Sequence, residues 1–132
     1  MIKTLSTAVI VFLLSLVCVF AAGQSGHASA WPGQESSFHG FEQVDFKLGE
    51  LPCKVVVPTT IADGKPWVLR ARFWGHEPQF DLAMLERGYH VVYCDVGNLF
   101  GSPGAVQRWD ALYEYLRFEH LFADRAVLEG MS

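Results

Sequence analysis

The sequence predicts an α/β domain: antiparallel leading strands, then a strand–helix–strand–helix–strand series that builds a parallel sheet. Three observations carry this. Residues 89–96 form a near-continuous apolar run, the mark of a strand buried on both faces. Two helices with clear end signals flank that run, one over residues 78–87 and one starting at Ser102-Pro103. Ahead of them, residues 41–48 and 53–57 are short β-rich runs separated by the turn Gly49-Glu50-Leu51-Pro52, which reads as a hairpin-like unit.

The chain starts with a secretory pattern. Lys3 supplies a positive start, the run from Ala8 to Phe20 is apolar but for Ser15, and Ala21, Ala22 and Gly23 follow as small residues. Such a run is short of the roughly 20 apolar residues that span a bilayer. Residues 1–23 are therefore expected to be a signal peptide, with cleavage after Gly23 or, further on, after Ala30. An uncleaved anchor is the alternative, and Cys18 lacks the neighbours of a lipid-attachment site. The expected location is secreted or periplasmic, with membrane contact only through the signal during export. Cys53 and Cys94 would then mature where disulfides are permitted.

Residues 24–40, rich in Gly, Ser and Pro, are expected to be a flexible segment leading into the domain at residues 41–132. Residues 41–48 read as an edge strand through Phe41, Val44 and Phe46. Residues 53–57 pair back on it and stop at Pro58, and Asp63-Gly64 marks the next turn. Residues 67–74 alternate, with Trp67, Leu69, Ala71 and Phe73 on one face and Val68, Arg70, Arg72 and Trp74 on the other. Two arginines on one strand face need carboxylates; Glu77, Asp95 and Glu129 are the nearest by topology. The helix over 78–87 has Pro78 in its first turn, Phe80, Ala83 and Met84 on one face, and Gly88 as its cap. The second helix, from Pro103 to about Phe122, presents Val106, Trp109, Leu112, Tyr113 and Leu116 as its apolar stripe. Ala126, Val127 and Leu128 form the closing strand.

A net charge of −4 at pH 7, with no basic run, excludes a phosphate-binding face of the kind nucleic acid requires. His76-Glu77 begins like a zinc-helix motif, but Phe80 stands where its second histidine belongs. The glycines of the 97–104 loop match neither the dinucleotide fingerprint nor the phosphate loop. No metal and no cofactor is implied.

One motif remains. Gly130-Met131-Ser132 matches the first three letters of G-x-S-x-G, the turn that presents a nucleophilic serine between strand and helix. Small residues flank such a serine because strand and helix approach closely there, and the hydroxyl needs a base to take its proton. Ordinary serine is the competing reading for Ser132. A strand directly before it, the third of a βαβαβ series, favours the nucleophile.

With these residues in place the chain resembles the α/β-hydrolase fold family, in particular its secreted bacterial esterase-like members, over residues 41–132. That span would be the N-terminal half of such an enzyme, a partial sheet truncated after the nucleophile strand. The resemblance implies hydrolysis of a carboxylic ester or related acyl bond, with a small-molecule or glycan ester as substrate of the longer parent. It implies an oxyanion N–H from the loop Trp74-Gly75-His76-Glu77. Family members often carry His-Gly-Gly there; with Trp74-Gly75-His76 in its place, the backbone role falls to His76 or its neighbours Gly75 and Trp74. The family's chain order, Ser then Asp or Glu then His, puts both triad partners beyond residue 132. His39, His76, His90 and His120 all precede Ser132 and cannot be the base by order. The second oxyanion donor, the N–H after the nucleophile, is also beyond it. The chain alone is thus expected to be inactive. In this fold the strand opening at Cys53 lies antiparallel to the strand closing at Cys94, so the two cysteines either form a disulfide or remain buried thiols. Arg70 and Arg72 either hold an anionic substrate or pair with structural carboxylates. A non-catalytic secreted binding or packing module is the competing class; a dinucleotide-binding half-domain is disfavoured by the failed glycine pattern.

Overall fold

A computed structural model describes residues 31–131. The expected signal segment at residues 1–23 with Cys18, residues 24–30 and Ser132 lie outside the described residues. The element order is β1 (Gln34–Phe38), β2 (Phe41–Leu48), β3 (Leu51–Val57), β4 (Trp67–Arg70), α1 (Gln79–Glu86), β5 (His90–Cys94), α2 (Pro103–Glu119) and β6 (Ala126–Glu129). The six strands form one mixed sheet in the order β1-β2-β3-β5-β4-β6. β1, β2, β3 and β5 pair antiparallel in succession, and β4 pairs parallel with both β5 and β6. The α/β class and the order of antiparallel strands followed by βαβαβ are as the sequence predicts.

The helices cover opposite faces. Leu112, Leu116 and Ala105 of α2 pack with Val44, Phe46, Val55, Trp67 and Val92. Met84 and Leu85 of α1 pack with Phe38, Val56, Val68 and Val91. Opposite faces follow from handedness. The chain moves from β4 to β5 in one direction and from β5 back past β4 to β6 in the other, so two right-handed crossovers must lie on opposite sides of the sheet.

The structure differs from the sequence reading in several places, each with a local cause. Residues 34–38, expected to be flexible, form a strand whose side chains are exposed except Phe38. Its backbone ladder to β2, not apolar burial, holds it in place. β2 is consequently not an edge strand. Trp31, in the same expected tail, is buried and stacks on the His120 ring at 3.7 Å between centroids. His120 is therefore half-covered.

β4 ends at Arg70 rather than continuing to Trp74. Its ladder closes with Ala71 N–H donating to Glu129 O at 3.0 Å, and Phe73 (φ 51°) then turns the chain aside. The inner face of α1 is Asp81, Met84 and Leu85, while Phe80 faces outward at 42% exposure. Gly88 ends α1 at φ +85°, where an added Cβ would lie 2.6 Å from Ala62 N. The helix α2 stops at Glu119, because Leu121 adopts φ 57° and Phe122 N–H bonds back to Leu116 O. Its buried residues are Ala105, Leu112 and Leu116, leaving Val106 and Tyr113 on the outside.

Cys53 and Cys94 are direct cross-strand partners, and both are buried free thiols, so no disulfide joins them. The neighbouring pair carries the ladder bond, Asp95 N–H to Pro52 O at 2.9 Å. The cysteines thus occupy a non-hydrogen-bonded position, where side chains approach most closely. The hydrogen bond between them lowers the Cys53 pKa and raises that of Cys94. In a chain without residues 1–23, an aromatic disulfide reagent should titrate neither thiol of the native protein rapidly and both after denaturation. No titratable thiol in the denatured chain would show that the pair had oxidised.

Candidate functional site

β4 leads into α1 on one face and β5 into α2 on the other. Between two neighbouring parallel strands whose helices leave on opposite sides, the connecting loops splay and leave a crevice at the strands' C-terminal ends. A cavity of about 490 Å³ lies there. Its walls include Arg72 and Phe73 after β4, Val96, Asn98 and Phe100 after β5, Trp109 of α2, and Gly130 and Met131 after β6. Phe73, Trp74, His76 and Met131 line a second cavity beside it. Several non-glycine residues of these loops, Phe73, Glu77, Asn98 and Phe100, have positive φ. Backbone held in that region is costly and gathers at sites whose shape matters.

The two arginines have different fates. Arg70 is 1% exposed. Its Nη1 donates to Asp81 Oδ2 at 2.5 Å and to Glu129 Oε1 at 3.0 Å. Its Nε donates to the carbonyls of Arg72 and Phe73, and its Nη2 to those of Phe73 and His76. One side chain of β4 therefore fastens α1, β6 and the loop after β4. Of the three carboxylates expected for the arginines, Glu129 is used, Glu77 is exposed, and Asp95 accepts from Gly97 N–H at 2.8 Å. Arg72 makes no ion pair among the described residues; its guanidinium lies 5.3 Å from the Phe73 ring centroid.

Asp81 is the partner that the sequence reading missed. The sequence predicts Phe80, Ala83 and Met84 as one face of α1. The spacing Asp81, Met84, Leu85 offers an equal helical stripe, and an arginine on a buried strand calls for an acid on the helix above it. Trp109 was placed in the core stripe, yet it also lines the cavity. Asn98 and Phe100 carry no sequence signal beyond their glycine-rich loop.

Of the candidate oxyanion donors, His76 N–H is already bonded to Phe73 O at 3.1 Å within a turn. The Trp74 and Gly75 N–H groups form none of the described hydrogen bonds. The same holds for Glu77 N–H, so among the described residues the loop's unspent backbone donors flank His76 on both sides. The His76 side chain is exposed at the second cavity. Gly130 and Met131 reach the first cavity, and Ser132 lies outside the described residues. His90 is buried against Phe122, with 4.4 Å between ring centroids, and is remote from these walls. His39 is exposed in the β1–β2 turn.

Protein-family models, curated proteins and solved structures were compared with this chain, and none matches it.

The Arg70 cluster has one cation and two carboxylates. Burial, then the neighbouring Asp81 carboxylate, raise Glu129 to a pKa of about 7, against the opposing pull of Arg70. Asp81 Oδ1 and Glu129 Oε2 are buried without donors; a proton on Glu129 gives Asp81 the donor it lacks. His90 shifts the other way, to about 4, chiefly because burial disfavours its charged form, with Lys65 and His120 adding to the effect.

Two outcomes follow. Arg70→Met strands two carboxylates and several carbonyls, and should destabilise the domain by about 3–5 kcal/mol in denaturant titration. The second concerns pH. Glu129 binds a proton in the folded chain and not in the unfolded chain between about pH 4.5 and 7, so its contribution to stability falls as pH rises. His90 is neutral when folded and protonated when unfolded between about pH 4 and 6.5, so its contribution rises. Burial lowers His120 as well, which adds to the rise. Across the overlap Glu129→Gln should therefore make stability rise more steeply with pH than in the wild type, and His90→Phe less steeply; identical slopes in both variants would contradict the assignment.

Proposed function

We propose that this chain carries the nucleophile and the oxyanion loop of a serine hydrolase that cleaves a carboxylic ester or related acyl bond in a secreted or periplasmic setting. The observation that carries this reading is that the β6 exit, Gly130-Met131 directly before Ser132, and the loop after β4 line two cavities that share Phe73 and Met131, with the Trp74 and Gly75 N–H groups of that loop unspent. Ser132 attacks the carbonyl carbon. The Trp74 or Gly75 N–H stabilises the oxyanion, and such a donor is worth about two to three orders of magnitude in rate. The α/β-hydrolase resemblance supplies the remainder: an acid, a histidine base and a second oxyanion N–H, all following residue 132 in the parent.

The edges of the sheet support this reading over a self-standing binding module. The β1 edge is exposed and polar, as a finished edge must be to resist pairing. The β6 edge presents Leu128 at 76% exposure. Beside it an apolar groove lined by Val106, Trp109, Tyr113 and Ala126 is open. A sheet that continues past β6 covers both.

The test is a chain extended through the coding sequence that follows Ser132. It should hydrolyse a p-nitrophenyl ester and lose at least about four orders of magnitude in kcat on Ser132→Ala. The 132-residue chain alone should show no serine-inhibitor-sensitive turnover. Activity that survives Ser132→Ala, or turnover by the 132-residue chain, would refute the proposal.

A further inference from the structure

We propose that Arg72 forms an anion subsite in the first cavity, which takes the carboxylate of a substrate with an aromatic or sugar ring. That the substrate is an ester rests on the hydrolase reading; the anion site itself does not.

Arg70 and Arg72 stand two residues apart in opposite states. Every group that a buried guanidinium asks for is present around Arg70. Around Arg72, half-buried at the cavity wall, no carboxylate lies within ion-pairing distance among the described residues. Its charge is not loose: the guanidinium packs over Phe73, whose own backbone is held at φ 51°. Gly97 opens the loop opposite, since a Cβ there would sit 3.2 Å from Arg72 Nη1 and 2.9 Å from Asp95 Oδ1. Asp95 Oδ1 is already taken by the Gly97 N–H.

Arg72 thus brings to the cavity a cation that no carboxylate pairs with, and a carboxylate matches a guanidinium with two parallel hydrogen bonds. The exposed rings of Phe73 and Phe100, with Trp109 and Asn98, are among the other walls. They suit a flat ring attached to that anion, and the volume of about 490 Å³ fits such a ligand.

The subsite is testable without turnover. The full chain is titrated with 4-methylbenzoate and with its neutral isostere 4-methylbenzamide, read by tryptophan fluorescence at low salt. The acid should bind about tenfold or more tightly than the amide, and added salt should narrow the gap. Arg72→Met should abolish the preference while leaving amide affinity in place. Arg72→Lys should keep part of it. Arg87→Met, an exposed control that removes the same charge elsewhere, should change nothing. Equal affinity for acid and amide, no saturable binding of the acid, or a preference that survives Arg72→Met would overturn the proposal. Fluorophosphonate labelling of Ser132 in the extended chain tests the hydrolase reading separately. An unreactive serine beside an intact benzoate preference would remove the ester and leave the anion site standing.

Discussion

A guanidinium taken out of water keeps its need for acceptors, and the fold around β4 is arranged to meet that need at Arg70. The acceptors come from three directions: Asp81 on α1, Glu129 on β6, and the carbonyls of Arg72, Phe73 and His76 in the intervening loop. Removing any contributor leaves the others buried and mismatched, so the cluster acts as one unit. It ties together α1, the end of β6 and the loop after β4, and the last two lead into walls of the cavity. The loop carrying Trp74 and Gly75 owes its path to carbonyls that point inward at Arg70, which turns neighbouring N–H groups away from it. Glu129 immediately precedes Gly130, so the same guanidinium also anchors the exit from β6.

The cluster also illustrates how buried charge is balanced. One arginine between two carboxylates leaves an excess negative charge in a site that water does not reach freely. The excess is relieved by a proton on Glu129, whose affinity for it rises to about 7. A conventional ion pair would have pulled that carboxyl down. Here burial and the second carboxylate outweigh the cation. Arg72 shows the converse case, a cation at a cavity wall whose partner is not supplied by the described chain.

How far the sequence was legible depended on whether the deciding force was local. Element types and order followed from apolar periodicity and end signals such as Pro78, Gly88 and Ser102-Pro103, and the structure has them. Ser102 caps through its backbone O, with no side-chain bond, so even a sound signal can act by another atom. β1 was illegible because its residues are exposed and polar; only the ladder to β2 makes it a strand. Asp81 was illegible because a short helix allows two stripes, and the strand arginine beneath it selects between them. The cross-strand approach of Cys53 and Cys94 was legible from topology, whereas their thiol state was not. At the site, Arg72 and the loop after β4 could be named in advance. Asn98, Phe100 and the second role of Trp109 depend on how two loops fold over the crevice, for which the sequence has no periodic sign.

The pairing of β6 with β4 sets an order of events. β1, β2 and β3 are joined by tight turns, so their ladders form between residues close along the chain. The contact from Arg70 to Glu129 spans 59 residues, and closing so long a loop costs entropy before any contact repays it. The antiparallel half can therefore assemble early, while the cavity waits for β6 to dock. The cavity of this domain belongs to a late folding step: until β6 docks, Arg70 has no Glu129 and the crevice lacks its β6 wall.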